Sequence, residues 1–88
     1  MVNPVFCIRD RKGDFWHPRV EQNEGSARRW FAMLVNNVDP QNPVSFAPHD
    51  FELYRIGDFD SEIGMFVSLE KKEFVCSGEE LVGIGYEK

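Results

Sequence analysis

The sequence predicts an α+β domain, in which a small antiparallel sheet of element order ββαββ carries one helix packed on one face. Two observations predict this class. One segment repeats apolar residues at helical spacing, and short β-prone runs with polar turns lie on both sides of it. The length of 88 residues fits a single domain over residues 1–88, and a hydrophobic content of 42% is ordinary for a folded chain.

The first predicted element is an opening hairpin over residues 4–20. Residues 5–8 are a β-prone run, and a polar turn containing Gly13 follows. Residues 15–20 have the composition of a second strand. Because Pro18 lacks the N–H that a central strand needs, we expect this strand at an edge of the sheet.

A helix is predicted over residues 24–36. Asn23 is a favourable N-cap residue, and Pro40 and Pro43 stop the helical pattern within a proline-rich loop over residues 38–48. The apolar stripe of the helix consists of Ala27, Trp30, Phe31, Leu34 and Val35.

A second hairpin is predicted over residues 51–75, followed by a C-terminal tail over residues 76–88. Alternation places Leu53 on one face of the sheet and Tyr54 and Ile56 on the other, so both faces carry apolar residues. One short helix covers only one face. We expect the tail or a second copy of the chain, rather than a ligand, to cover the other.

The cysteines and the apolar segments predict where the protein works. Cys7 and Cys76 could form at most one disulfide, fewer than small secreted domains usually carry. No signal peptide is evident, and the longest apolar run is too short for a membrane helix. We therefore expect a cytoplasmic protein with reduced thiols and no membrane contact.

No motif indicates an enzyme, a cofactor or a metal site. The acidic stretch of residues 58–62 lacks the glycine and glutamate that an EF-hand requires at its sixth and twelfth positions. Motifs for phosphate cradles and nucleophile elbows are absent. The potential zinc ligands stand singly rather than in the close pairs that zinc sites use. They are Cys7, His17, His49 and Cys76.

The charge distribution limits the possible partners. The net charge is −5, which argues against attraction of the whole molecule to duplex DNA. Residues 1–44 carry six Lys/Arg against five Asp/Glu, whereas residues 45–88 carry four against ten. The basic residues of the first half are Arg9, Arg11, Lys12, Arg19, Arg28 and Arg29.

These cations and nearby rings make a candidate site for single-stranded DNA, which needs cations for phosphates and rings for base stacking. If Arg9 and Arg19 share the face opposite the helix, Phe15 and His17 lie near them, and Phe15 or Trp16 can stack. The competing interpretation, favoured on the residues alone, is a solvated hairpin. In that case the arginines pair with Asp10, Asp14 and Glu21.

Residues 49–62 carry the sequence HDFELYRIGDFDSE, which resembles a stretch of the small nonstructural proteins of gokushoviruses, single-stranded DNA phages of the Microviridae. The similarity extends, in the same order, over roughly residues 5–75. It includes Asp10-Arg11-Lys12, Asn23-Glu24, Arg29-Trp30-Phe31 and Leu34-Val35-Asn36. The departures from the family pattern are Trp16, His17 and Arg55.

The resemblance implies a nonstructural protein, made in the host bacterial cytoplasm during infection and absent from the virion. It implies an accessory role in viral DNA replication, or in the switch to packaging single-stranded genomes, to which DNA binding is often attached. The family pattern identifies no contacting residues. The candidates for binding single-stranded DNA therefore remain the six cations with Phe15 and Trp16.

The alternative hypothesis is a protein-interaction module that binds a viral or host replication protein without DNA contact. An acidic second half suits a basic partner. The candidate residues are Tyr54, Ile56 and Phe66, with Asp58 and Asp60. Under either hypothesis we expect a homodimer, because pairing would cover the second apolar face of a small domain.

Overall fold

The computed structural model describes residues 1–84, and the last four residues of the predicted tail, 85–88, lie outside this range. The described chain forms one four-stranded antiparallel sheet of spatial order β2-β1-β3-β4, crossed on one face by a thirteen-residue helix. The α+β class is confirmed. The elements are β1 (Val2–Asp10), β2 (Arg19–Val20), α1 (Glu24–Asn36), α2 (Pro43–Phe46), β3 (Phe51–Asp60) and β4 (Met65–Ser77).

Helix α1 occupies the residues over which the apolar periodicity predicts it. The Asn23 side chain accepts a hydrogen bond from the Ser26 N–H at 2.8 Å, which satisfies one of the free donors at the helix start. Glu24 adds a favourable negative charge in the first turn. The buried face of the helix is formed by Ala27, Phe31, Ala32 and Val35.

The opening hairpin differs from its prediction. Strand β2 has two residues instead of six, because Pro18 cannot continue the ladder and residues 11–18 wrap around the edge of β1. Phe15 makes an isolated bridge with Arg9, and Trp16 donates its N–H to the Ile8 carbonyl at 2.8 Å.

The proline-rich loop contains two short helical turns that its composition did not predict. Pro43 starts α2 at a position where the missing N–H costs nothing, and Val44 of this turn is fully buried. A 3-10 turn follows at Pro48–Asp50 and leads directly into β3.

The described part of the tail lies on the helix side of the sheet. A 3-10 turn at Gly78–Leu81 places Leu81 in the core beside α1, and the Asn36 side-chain amide donates to the Leu81 carbonyl at 2.9 Å. The expectation that the tail covers the second face is therefore wrong for the residues that the structure describes. Leu81 therefore extends the core beyond the surface that α1 covers.

Strands β3 and β4 form the second hairpin, with a large irregularity in the middle. Arg55 pairs with Glu73 and Gly57 pairs with Ser68, so Ile56 faces the four residues 69–72 of β4. This bulge interrupts the ladder and turns residues 69–72 out of its plane. The core lies on the other face, where Phe6, Ile8, Leu53 and Cys76 pack under α1.

Candidate nucleic-acid interface

Three aromatic rings line up across the face opposite α1, which we call the open face. Tyr54 lies between Phe15 and Phe74, with ring centroids 5.6 and 5.7 Å away and both contacts edge-to-face. The sheet sets this order, because Cys7, Tyr54 and Phe74 are direct cross-strand neighbours. We call Phe15, Tyr54 and Phe74 the aromatic row.

Two cations lie over the ring at the end of the aromatic row. The Arg9 guanidinium carbon is 5.8 Å and the Lys72 ammonium 5.5 Å from the centroid of Phe15. The bulge at residues 69–72 brings Lys72 to this position from the far strand. Cations at these distances are attracted to the negative face of the ring, so both charges stay near the row.

The outer rings of the row remain accessible. Phe15 is 38% exposed and Phe74 is 53% exposed, although both take part in edge-to-face contacts. Each of these two rings keeps part of its surface open to solvent and to contact with another planar group. The row therefore offers partly open rings, of which Tyr54 and Phe74 are fixed by paired strands and Phe15 by its bridge to Arg9.

The same face carries an apolar groove toward the β3–β4 turn. Its volume is about 290 Å³. Gly57 lets Phe66 and Val67 pack closely on β3, because a Cβ at this position would lie 2.4 Å from the Val67 carbonyl oxygen and 2.7 Å from the Phe66 ring. The residues lining this apolar groove are Val5, Pro18, Val20, Ile56, Phe59 and Phe66.

Carboxylates hold the first-half cations near the aromatic row. Glu52 accepts a hydrogen bond from the Tyr54 hydroxyl at 3.2 Å and lies 3.9 Å from both Arg9 and Arg11. Lys12 lies 3.4 Å from the Asp50 carboxylate. Arg9, Arg11 and Lys12 therefore gather at one end of the open face, each partly neutralised by β3 or the turn before it.

The other three predicted cations lie elsewhere. Arg19 is the neighbour of Phe6 in the sheet and so faces the helix side, where it lies over the Trp30 ring at 4.7 Å. Its carboxylate partner is Glu21, as the solvated-hairpin interpretation expects. Arg19 thus does not share a face with Arg9.

Arg28 and Arg29 belong to α1 and are separate from the open face. Arg28 pairs with Glu24 at 3.1 Å and donates to the Val75 carbonyl at 3.1 Å, which ties the helix to β4. Arg29 is exposed on the same helix. The six cations of the first half therefore do not form one patch.

The residues proposed for a protein interface divide between two places. Tyr54 is the centre of the aromatic row, whereas Ile56 and Phe66 line the apolar groove. Three carboxylates lie beyond the groove. Asp58 pairs with Arg55 at 2.6 Å, and Asp60 and Glu62 lie 3.9 and 3.3 Å from the N-terminal ammonium. The hydrogen bond to Asp58 is the main cause that raises the pKa of Arg55.

Two residues of the site escaped the sequence analysis. Lys72 belongs to the sequence Glu-Lys-Lys-Glu, which is typical of a solvated strand, and Phe74 has no distinguishing neighbour in sequence. Both join the site only through the register of β4 on β3. Strand alternation predicts that Phe74 and Cys76 lie on one face, but the bulge at Val75 puts them on opposite faces. No local pattern therefore marks Phe74 as part of the open face.

Both thiols are buried and neutral. Burial raises the pKa of Cys7, whose thiol donates to the Trp16 carbonyl at 3.0 Å, and raises the pKa of Cys76 to about 11. Among residues 1–84, no three His, Cys, Asp or Glu side chains are placed to hold a metal ion. No helix in this part of the chain has the length and apolar character to cross a membrane.

Comparison with known proteins gives one family. The family model described as Phage ORF5 protein matches residues 3–81, which include every residue of the aromatic row and the apolar groove. No curated protein and no solved structure matches the chain.

Proposed function

The chain belongs to the Phage ORF5 protein family, and from this premise we propose that it is a non-enzymatic phage accessory protein that binds single-stranded DNA through its open face. It acts in viral DNA replication, or in the switch from replication to genome packaging. Its place is the cytoplasm of the host bacterium and not the virion. The resemblance of residues 49–62 to gokushovirus nonstructural proteins supports this assignment.

The aromatic row with its two cations is the observation that carries the proposal. Single-stranded DNA presents unpaired bases, which stack on aromatic rings, and phosphates, which cations neutralise. Phe15 and Phe74 supply the accessible rings, and Arg9 and Lys72 supply the charges beside them. Every base has a π-face, so such a site takes a strand with little regard to sequence.

The charge pattern along the open face determines where the backbone of the bound DNA lies. Arg9, Lys72 and Arg11 lie at the end that carries the aromatic row, whereas Asp58, Asp60 and Glu62 lie toward the other. The carboxylates near the β3–β4 turn repel phosphates, whereas Glu52 at the row is paired with Arg9 and Arg11, so the DNA backbone stays near the row. Rows of this kind on four-stranded sheets stack about two or three bases.

The test is binding of a fluorescently labelled oligothymidylate, followed by anisotropy at several salt concentrations. We expect Phe74→Ala and Phe15→Ala each to weaken binding about tenfold, since each removes one stacking ring. Phe46→Ala is the matched control, because it removes an exposed ring from α2, outside the open face, and should bind like the native protein. Failure of the native protein to bind at low salt would refute the proposal.

The apolar groove favours a second candidate function, a protein interface that includes pairing with a second copy. The groove is lined by apolar side chains, and Phe66 within it is 47% exposed. Light scattering together with the DNA-binding assay, applied to the native protein and to Phe66→Ser, separates the two functions. A change of mass in Phe66→Ser with unchanged DNA binding supports the interface. Loss of DNA binding in the same variant would assign the groove to the DNA site instead.

A further inference from the structure

A second aromatic cleft lies at the β1–β2 edge of the sheet, on the side of α1. Its volume is about 650 Å³, within the range typical of ligand pockets. The cleft is lined by Phe15, Trp16, His17 and Trp30. We call these four residues the edge cleft.

The walls of the edge cleft are held by the core. Trp16 makes an edge-to-face contact with the buried Phe51, with ring centroids 5.3 Å apart, and Trp30 packs against the core from α1. Trp16 is nonetheless 38% exposed. Indole faces that are fixed on one side and open on the other are suited to stacking, because little side-chain freedom is lost on binding.

A cation stands at the cleft. The Arg19 guanidinium lies 4.7 Å from the centroid of the Trp30 ring, and its own carboxylate partner is Glu21. No carboxylate is among the residues that line the cleft, and the Glu21 carboxylate beside it is already paired with Arg19.

The edge cleft is continuous with the open face through one residue. Phe15 lines the cleft and also lines the hollow on the open face that Lys72 and Cys7 share. The adjacent residues Phe15 and Trp16 point to opposite sides of the sheet edge, because their segment wraps around β1. A strand that leaves the aromatic row at Phe15 therefore meets Trp16 next.

We propose that the edge cleft is a second nucleotide subsite, in which one base stacks on the indole of Trp16 or Trp30 and its phosphate contacts Arg19. This inference rests on the proposed function and extends it, because the bound strand then passes around the sheet edge from one face to the other. The ligand is a single nucleotide unit of the strand.

Tryptophan emission tests the subsite directly, because the chain has two tryptophans and both line the cleft. One titration with labelled oligothymidylate records DNA anisotropy and tryptophan emission together. We expect saturable quenching of the tryptophan emission, with its midpoint at the same protein-to-DNA ratio as the midpoint of the anisotropy change. Trp16→Phe and Trp30→Phe leave one reporter each and show which indole stacks, while the phenyl ring preserves the packing.

Charge variants add a second measure. Arg19→Gln should weaken binding about three- to tenfold and reduce the quenching, because it removes a phosphate contact. Lys71→Gln removes the same charge on β4, at the far edge of the sheet, and should bind like the native protein.

The outcomes separate this inference from the proposed function. Normal DNA binding with unchanged tryptophan emission and an ineffective Arg19→Gln would overturn the subsite and leave the open-face site standing. If the DNA does not bind at all, dAMP alone decides: saturable quenching supports the cleft as a nucleotide site, and unchanged emission overturns it. Quenching by a proline-rich peptide, the other ligand typical of aromatic grooves, with none by DNA or dAMP would also overturn it.

Discussion

The two faces of the sheet are built from the same strands but differ in how far their apolar side chains are buried. On the helix side, Phe6, Ile8 and Leu53 are at most 1% exposed, because α1 and Leu81 close over them. On the open face, Phe66 and Phe74 remain 47% and 53% exposed. Strand alternation supplies apolar residues to both faces, so the cover rather than the pattern decides which face becomes core.

The open face is itself graded from one edge to the other. Val5 and Cys7 on β1 are each 3% exposed, because the wrapped segment and the β4 bulge lie over them. Exposure rises toward β4, where Phe66 and Phe74 stand. The chain thus covers part of the second face itself, at β1, and leaves Phe66 and Phe74 of β4 accessible.

The largest expected difference in the free energy of unfolding is between two phenylalanine variants, one on each face. Phe31→Ala on the covered side should lower the free energy of unfolding by about 3–5 kcal/mol, because it leaves a cavity in the core. Phe74→Ala on the open face should cost less than about 1 kcal/mol, since its ring is already half in water. Urea denaturation of both variants measures the difference, and equal losses would contradict the division of the faces.

A smaller effect is expected at Gly57, where β4 packs tightly against β3. Gly57→Ala places a Cβ 2.4 Å from the Val67 carbonyl oxygen, and the backbone must shift to accept it. We expect a loss of about 1–3 kcal/mol in unfolding free energy, typical of overpacking. Gly13→Ala is the matched control, because its nearest neighbour, in the Asp10 side chain, lies 3.6 Å away. Similar stability of the two variants would show that β3 and β4 can separate at Gly57 without cost.

Local sequence was sufficient to predict the helix and insufficient to predict the arrangement of the open face. Asn23 and the apolar stripe specify α1 from interactions within four residues. Lys72 reaches Phe15 only through a four-residue bulge opposite Ile56, and no local signal marks that register. The condition that Arg19 shares a face with Arg9 fails for a related reason. Its strand shortens at Pro18, and its pairing with Phe6 turns it toward α1.

Salt dependence sharpens the contrast between the basic end of the open face and the rest of the molecule. Lys72→Gln should reduce the slope of log K against log salt by about 0.7, the value for one phosphate contact on a single strand. Lys71→Gln should leave the slope unchanged, because Lys72 rather than Lys71 lies over Phe15 among the described residues. Equal slopes for the native protein and Lys72→Gln would remove Lys72 from the phosphate contacts.

The pH dependence of stability compares the two cysteines, one under each face. Burial raises the pKa of Cys76 to about 11 from an ordinary value of 9.0, so the unfolded chain releases this proton first. Stability supported by the neutral thiol is therefore complete below pH 9 and declines as the pH rises from 9 to about 11. Urea midpoints across this range should fall less in Cys76→Ala than in the native protein. Cys7→Ala makes the same comparison beneath the open face, where burial also raises the thiol pKa. If Cys76→Ala declines as steeply as the native protein, alkaline destabilisation comes from other groups, and the covered face is not what holds this thiol neutral.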